Sequence, residues 1–346
     1  MTNPFTLEFG AQPPEYIDRF TEMTEIFEDF ASPNPSSHTY ALLGPRGCGK
    51  TVLLNDISER IANKKDWISV TLNCKSDLLL QLAASINENI KTDFLDIKPE
   101  FSFSFSFMSL TLKGKDHVSD IHVLLQKMFE IINRHNKKVL VAIDDVSVNE
   151  HMEIFAKEFQ LLRGKLMPIF LVMTGLYSTF NKFQSTDGLT FLLRAPKIYL
   201  GPLNERAIAK TYEETLKISL EKAKELASFT KGYAFCYQCL GYLLIKYGKR
   251  ELDEQILSKL DYYLEEGVYL KLREELSLKE KEILKFLTTR DEVSNQELIE
   301  SSIVDKNTIS TYKGILNRKG VINLSTRGKL CIALPRLKEF ITYYFE

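Results

Sequence analysis

A glycine-rich stretch of eight residues places the strongest constraint on the fold of this 346-residue chain. This stretch follows an apolar run that ends at Leu43. Its residues are Gly44, Pro45, Arg46, Gly47, Cys48, Gly49, Lys50 and Thr51. These residues match GxxxxGK[ST] between a predicted strand and a predicted helix, which is the context that a phosphate-binding loop requires. The glycines allow successive N–H groups to turn onto phosphate oxygens, and the helix dipole adds positive charge there. We predict that this segment, called the P-loop below, binds a nucleoside triphosphate.

A second strong pattern is an apolar run that ends in two carboxylates. Five apolar residues, 139–143, predict a buried parallel strand, and Asp144 and Asp145 follow it. Ligands of open α/β sheets bind at the carboxyl ends of strands, so both acids are expected beside the P-loop. We predict that Lys50 reaches the β- and γ-phosphates and that Thr51 and Asp144 hold Mg²⁺, Asp144 through water. Asp145 is predicted to orient or activate the attacking water, which makes ATP and Mg²⁺ the expected cofactors.

Three further residues are candidates for the same site. Thr174 ends another buried strand and is predicted to contact the γ-phosphate or the attacking water. Tyr16 and Ile17 belong to an irregular leader before the P-loop and are candidates to contact the adenine base. A plain packing role for these two is an equal alternative.

The order of predicted elements gives the fold class. Strands alternate with helices up to about residue 203, which predicts an α/β unit whose parallel sheet has helices on both faces. From residue 204 to about 275 only helical periodicity is found, with Gly232 and Gly248 as breaks. We therefore predict three domains: 1–203 with the P-loop, a helical domain at 204–275, and a C-terminal domain at 276–346.

The C-terminal domain resembles a winged helix-turn-helix, because three helices, two of them with predicted N-caps, precede a predicted hairpin. Its residues 277–346 carry 12 Lys and Arg against nine Asp and Glu. The candidates for contact with double-stranded DNA are Lys306, Thr308, Thr311, Lys313, Arg318, Arg327 and Lys329. In the alternative, this domain packs on the ATPase core and binds no DNA.

These pieces together resemble the AAA+ P-loop ATPases, in particular the branch of origin-recognition initiators, archaeal ATPases and STAND signalling NTPases. The residues that carry the resemblance are the P-loop, Asp144–Asp145, Thr174 as first sensor, Arg194 before the last strand, and Gly201–Pro202–Leu203. The resemblance implies that Arg194 acts as an arginine finger on a neighbouring subunit, and hence a nucleotide-dependent homo-oligomer. It also implies that residues 204–275 form a lid over the nucleotide.

The sequence departs from the family pattern at two positions. Asp145 stands where a glutamate is usual, which leaves open whether ATP is hydrolysed, slowly hydrolysed or only bound. Phe235 stands where a second-sensor arginine is expected. Coupling of the lid to the γ-phosphate is therefore an open point.

Composition limits the classes of partner. Net charge is −1, so a nucleic-acid contact must come from a local patch. No apolar run is long enough to span a bilayer, no secretory signal opens the chain, and five scattered cysteines suit a reducing cytoplasm. The alternation of Phe and Ser over Phe101–Phe107 predicts a half-buried strand, or an edge that binds another protein.

We thus predict an ATP-binding, AAA+/STAND-like switch that associates with DNA through its winged helix. The alternative is a nucleotide-gated protein-interaction module whose winged helix packs on the ATPase core. A small-molecule kinase is disfavoured, because the sequence indicates no substrate pocket with lid arginines facing it, and the three-domain order also argues against such an enzyme.

Overall fold

The computed structural model describes residues 3–8, 10, 12–93, 117–186, 188–324 and 328–345. The predicted strand Phe101–Phe107 and the wing residue Arg327 lie outside these residues. A five-stranded parallel sheet forms the centre of the N-terminal part, in the order β2-β3-β4-β1-β5. Its strands are β1 Thr39–Leu43, β2 Trp67–Asn73, β3 Lys138–Asp144, β4 Ile169–Gly175 and β5 Lys197–Tyr199.

Helices cover both faces of this sheet because the strand side chains alternate between two cores. Tyr40 and Leu42 of β1 pack in one core with the first two helices, whereas Ala41 and Leu43 pack in the other with the next three. The helices are α1 Phe20–Ala31, α2 Lys50–Ala62, α3 Leu78–Asp93, α4 His117–Arg134, α5 Glu150–Gly164 and α6 Tyr177–Lys182. The predicted α/β fold with a parallel sheet is confirmed.

The segment after the sheet is helical, as predicted. Its helices are α7 Glu205–Leu216, α8 Leu220–Phe229, α9 Ala234–Tyr247, α10 Glu254–Leu264 and α11 Leu270–Glu275. The apolar periodicity predicts one helix over 252–275, but a π-helical turn at Glu265–Tyr269 interrupts it. The Tyr269 hydroxyl donates to the carbonyl of Pro335, so the widened turn coincides with a contact to the C-terminal part.

Residues 277–345, called the C-terminal unit below, contain four helices and a hairpin: α12 Leu278–Leu287, α13 Asn295–Glu300, α14 Ile309–Arg318, β6 Ile322–Leu324, β7 Leu330–Ile332 and α15 Leu337–Tyr344. The antiparallel strands pair Ile322 with Ile332. Capping by Asp305 predicts a helix over Lys306–Lys319, but α14 begins at Ile309, because the Asp305 carboxylate accepts from the N–H groups of Asn307 and Thr308 and holds a turn there. The order of elements suits a winged helix, and that assignment stays a prediction.

One hydrophobic core runs through both the lid (204–275) and the C-terminal unit. The leader contributes to it as well, because the buried Phe5 ring packs 5.8 Å from the ring of Tyr212 and 5.6 Å from that of Tyr237. A Cβ at Gly241 would lie 2.6 Å from the Phe5 ring, so this helix position admits only glycine. Within the described residues, every helix is too short or too polar to cross a membrane.

Candidate nucleotide-binding site

A cleft of about 830 Å³, counting its open mouth, lies between the leader, the P-loop and the lid. Its size is that of a small-molecule site. Gly47–Thr51 line one side, Tyr16 and Ile17 a second, and Phe235 and Gln238 of the lid a third. The structure thus brings the P-loop and the two predicted adenine contacts to one cavity.

The P-loop backbone has the geometry that its glycines predict. Gly47 has φ +71° and Gly49 φ +94°, and α2 begins directly after Gly49. The helix N-terminus, with its unpaired N–H groups, therefore faces the loop. The Lys50 ammonium lies over the same loop, donating to the carbonyl oxygens of Gly44 at 3.0 Å and Pro45 at 2.8 Å. Backbone amides and one ammonium are the donors that a polyphosphate needs.

A chain of hydrogen bonds joins the ends of three neighbouring elements. The Thr51 hydroxyl donates to the Asp144 carboxylate, with contacts of 2.9 and 3.1 Å to its two oxygens. The Thr174 hydroxyl donates to Asp144 Oδ1 at 2.5 Å and accepts the N–H of Asp145 at 2.8 Å. Thr174 is fully buried, so it lies behind the two acids and holds both.

The donor set at Asp144 fits Mg²⁺. A carboxylate and a hydroxyl are hard oxygen ligands, and Mg²⁺ is usually held by one or two such groups together with waters and substrate phosphates. Thr51 and Asp144 would hold the ion, which when bound offsets phosphate charge. Both side chains are already within hydrogen-bond distance of each other, so little rearrangement separates this arrangement from a shared ion.

Asp145 differs sharply from its neighbour. It lies just beyond β3 with φ +46°, and its side chain is exposed. Its backbone is fixed on both sides, because its N–H donates to Thr174 and its carbonyl accepts from the Cys74 thiol at 3.5 Å. The left-handed backbone turns the Asp145 carboxylate away from the strand direction, toward solvent.

The lid contacts the P-loop directly. The Tyr233 hydroxyl donates to the carbonyl of Arg46 at 2.6 Å, and the Phe235 N–H donates to the carbonyl of Gly47 at 3.0 Å. A Cβ at Gly47 would overlap the Tyr233 hydroxyl, so both its φ and this contact require glycine. Phe235, which stands where an arginine was expected, thus couples to the loop through its backbone.

Arg19 is a functional candidate that the sequence reasoning did not select. It is 6% exposed, and its guanidinium donates to the carbonyls of Cys48 and Gly201, each at 2.9 Å. Glu22 pairs with it at 3.2 Å. The arginine therefore ties the leader to the P-loop and to the exit of the sheet. The available signal was its place in the irregular leader before the P-loop, directly after the two predicted adenine contacts.

Tyr16 lines the cleft, and its hydroxyl is buried. Burial raises the pKa of Tyr16, and the negative charge of Asp56 raises it further. The phenol is therefore neutral at physiological pH, which suits an aromatic ring beside a base.

Arg194 ends a 3₁₀ turn, Thr190–Arg194, and is exposed just before β5. β5 is the edge strand beside β1, with Ala41 opposite Lys197, and the P-loop follows the carboxyl end of β1. The role of Arg194 as a finger on a neighbouring subunit stays a prediction.

The predicted DNA contacts are placed in three ways. Lys313 donates to Asn295 at 2.8 Å, Lys329 pairs with Glu292 at 3.3 Å, and Arg318 donates to the Tyr177 hydroxyl at 2.9 Å. Lys306 and Thr311 are exposed, and Thr308 is half-buried. Lys306 and Thr308 precede α14 instead of lying on it, because of the turn at Asp305.

The face of the P-loop that points away from the cleft packs on the C-terminal unit. A Cβ at Gly320, which has φ +71°, would lie 2.6 Å from the Pro45 ring. Arg46 pairs with Glu275 at 2.6 Å, just before the unit begins. Lys319 donates to the Glu275 carbonyl at 3.0 Å and pairs with buried Glu280 at 2.7 Å. The end of α14 therefore rests on the P-loop.

In this parallel sheet the P-loop follows β1, and Asp144 ends β3, which is separated from β1 by β4. This arrangement defines the class of P-loop NTPase folds. No family model matches the chain, and no curated protein matches its sequence. Among solved structures, it is similar to a Walker-type ATPase of Pyrococcus abyssi, with 13% identity, 94% of this chain and 96% of that chain covered, and a TM-score of 0.63. It is also similar to the Aeropyrum pernix ORC2 protein in ADPNP–ADP complexes, with 14% identity, coverage of 97% and 96%, and a TM-score of 0.58.

At such low identity these similarities establish the fold. Both extend over nearly the whole of each chain, so the likeness includes the lid and the C-terminal unit as well as the sheet. The chain therefore shares the overall fold of these two proteins, and the predicted resemblance is confirmed at the level of the fold.

Proposed function

We propose that the protein is an ATP-dependent switch whose C-terminal unit docks on the P-loop. The observation that carries the proposal is the division of this loop between two partners. Gly47–Thr51 line the cleft, whereas Pro45 contacts Gly320 and Arg46 pairs with Glu275. A change in the loop on binding phosphate is thus felt at the C-terminal unit without an intermediary.

In this proposal each side chain of the site has a defined task. The amides of the P-loop and Lys50 bind the β- and γ-phosphates, and Thr51 with Asp144 holds Mg²⁺. The exposed carboxylate of Asp145 accepts a proton from, or orients, a water at the γ-phosphate. Thr174 positions both acids, so its hydroxyl acts through them and does not touch the phosphate.

The first test of this function is steady-state ATP hydrolysis, with the Lys50→Ala variant as the blank. We expect turnover that this variant abolishes. Hydrogen exchange of residues 309–320 is measured in parallel with ADP and with a non-hydrolysable ATP analogue. Exchange in α14 that differs between the two nucleotides in wild type, and not in Lys50→Ala, supports the switch. Identical exchange in both nucleotides contradicts it.

DNA association through the C-terminal unit is a second candidate, favoured by the exposed positions of Lys306 and Thr311. Docking on the core occupies Arg318, so DNA contact by this residue requires release of α14 from Tyr177. If Lys306→Ala, Lys313→Ala and Arg327→Ala together leave DNA affinity and its salt dependence unchanged, this candidate fails.

We also propose that Arg194 completes the site of a neighbouring copy. Its exposure and its position just before β5, the edge strand of the sheet, support this role. An equimolar mixture of Arg194→Ala and Lys50→Ala chains tests it, because each supplies what the other lacks. Turnover in the mixture, with none in either variant alone, is the expected result.

A further inference from the structure

The amino ends of β2, β3 and β4 form a surface that neither the nucleotide site nor the C-terminal unit uses. These strands are adjacent and parallel, with Trp67 opposite Lys138 and Val139 opposite Ile169. The segments that enter them, 63–66, 134–138 and 163–168, therefore lie at one edge of the sheet. We call this surface the basic edge; its cations are Lys64, Lys65, Arg134, Lys137, Lys138, Arg163 and Lys165.

Positive charge is concentrated there far beyond the chain average. The three segments hold seven Lys and Arg residues against a single acid, Asp66, in a chain of net charge −1. They are also in contact, because the Lys137 ammonium donates to the Lys65 carbonyl at 3.1 Å. With strands roughly 4.8 Å apart, the three segments span about 10 Å.

The described contacts of four of these side chains are to uncharged groups. Lys64 lies over the ring of Phe27 at 5.2 Å, and Lys138 donates to the carbonyl of Phe30 at 3.1 Å. Arg163 donates to the carbonyl of Met167, and Lys165 to the amide oxygen of Gln126 at 2.5 Å. Such partners orient the cations and leave their charge in place.

The positive charge of this edge also affects the pKa of a neighbouring histidine. His38, just before β1, is at the same edge, and burial together with the positive charge of Arg163 lowers the pKa of His38 to about 4. Helix dipoles explain why arginines occur at positions 134 and 163, because Arg134 and Arg163 lie in the last turns of α4 and α5, where positive charge is favourable. They do not account for Lys137 and Lys138, which enter β3.

We propose that the basic edge binds the phosphate backbone of double-stranded nucleic acid. One strand of a duplex carries a phosphate about every 3.4 Å along its axis, so a span of about 10 Å faces roughly three phosphates. Exposed Asn63, Asn133 and Asn136 add uncharged donors of the kind that contact phosphate and sugar. Trp67 and Phe170, near the starts of β2 and β4, are buried, so these two rings are not available to stack on single-stranded bases.

Fluorescence anisotropy with a labelled 20-base-pair duplex of arbitrary sequence, over a range of salt concentrations, tests the proposal. The variant replaces the three exposed lysines, Lys64→Gln, Lys65→Gln and Lys165→Gln. The matched control replaces three exposed lysines of the lid, Lys210→Gln, Lys224→Gln and Lys259→Gln, and has the same net charge. We expect the edge variant to lose about tenfold or more in affinity and two to three units of salt slope, and the control to lose little.

Binding of a fluorescent ATP analogue, which the proposal expects to be unchanged in both variants, confirms that they are folded. Equal loss in the two variants, or no binding by wild type, overturns the proposal. Loss confined to Lys306, Lys313 and Arg327 variants places duplex binding on the C-terminal unit and also overturns it. If the protein binds poly-glutamate but no duplex, and Leu166→Ser weakens the binding of poly-glutamate, the basic edge binds an acidic protein instead. Leu166 tests this outcome because it is 79% exposed beside Lys165.

Discussion

The side chains on the two sides of the P-loop differ in how far along the chain their partners lie. On the cleft side, Lys50 bonds to carbonyls within its own loop, and Thr51 reaches Asp144 of a nearby strand. On the other side, Pro45 meets Gly320 and Arg46 meets Glu275, both more than 200 residues away. One short loop therefore serves a local chemical site and a long-range docking contact at once.

This difference shows which property each side controls. Contacts inside a loop set the geometry that a phosphate encounters, and contacts across domains set where the C-terminal unit rests. Because the two sides share a backbone, nucleotide and docking are coupled, but substitutions of side chains should separate them. The following changes test that separation, from the largest expected effect to the smallest.

Removing the cleft-side cation should give the largest effect. We expect Lys50→Ala to weaken ATP binding about 100- to 1,000-fold, since it deletes an ammonium that lies over the loop. Isothermal titration with an ATP analogue measures this. Thermal unfolding should stay within a few degrees of wild type, and a large fall in melting temperature would show that the two sides are not separable.

Breaking the buried pair behind the loop should cost stability instead. Lys319 and Glu280 are 13% and 5% exposed, so Lys319→Met leaves a buried carboxylate without its partner and should lower the free energy of unfolding by about 3 kcal/mol. Urea unfolding measures the loss. Adding Glu280→Gln should recover part of it, while ATP affinity changes less than about threefold in either variant.

Thr174→Val tests the hydroxyl that holds both acids. The substitution keeps shape and removes the bonds to the Asp144 carboxylate and the Asp145 N–H, so hydrolysis should fall about 10- to 100-fold with nucleotide affinity nearly unchanged. A Thr174→Ser variant, which retains the hydroxyl, should keep most of the rate. A matching loss of affinity in the valine variant would instead assign Thr174 to phosphate binding.

His38, before the amino end of β1, gives a stability prediction that involves neither side of the P-loop. Because the pKa of His38 is lowered to about 4 in the fold, the unfolded chain binds more protons between pH 4 and 6.5. Stability should therefore be complete above about pH 6.5 and fall by about 1–2 kcal/mol toward pH 4, allowing for the partial exposure of the ring. Urea unfolding of His38→Gln, which cannot titrate, should lack this slope.

The sequence predicts the cleft side well and the docking side hardly at all. Lys50, Thr51, Asp144 and the sheet follow from a motif and from apolar runs, whose meaning is local. The contacts of Gly320 with Pro45 and of Arg318 with Tyr177 join distant segments, so no periodicity or spacing records them.

Thr174 lies between these cases. Its strand and its place beside the acids could be predicted, but its complete burial depends on the packing of neighbouring strands and helices. Likewise, the late start of α14 depends on one carboxylate, Asp305, which caps a turn as readily as a helix. Such choices depend on tertiary context that residue spacing alone does not contain.

The single core that the lid shares with the C-terminal unit has a mechanical consequence. Because the lid and the C-terminal unit share one interior, we expect them to move together as a single body. This body contacts the P-loop through Tyr233, whose hydroxyl donates to the carbonyl of Arg46, and it extends as far as α15. The leader residue Phe5 packs in this body and not against the sheet. A rotation of the lid beside the nucleotide is therefore expected to carry the C-terminal unit with it.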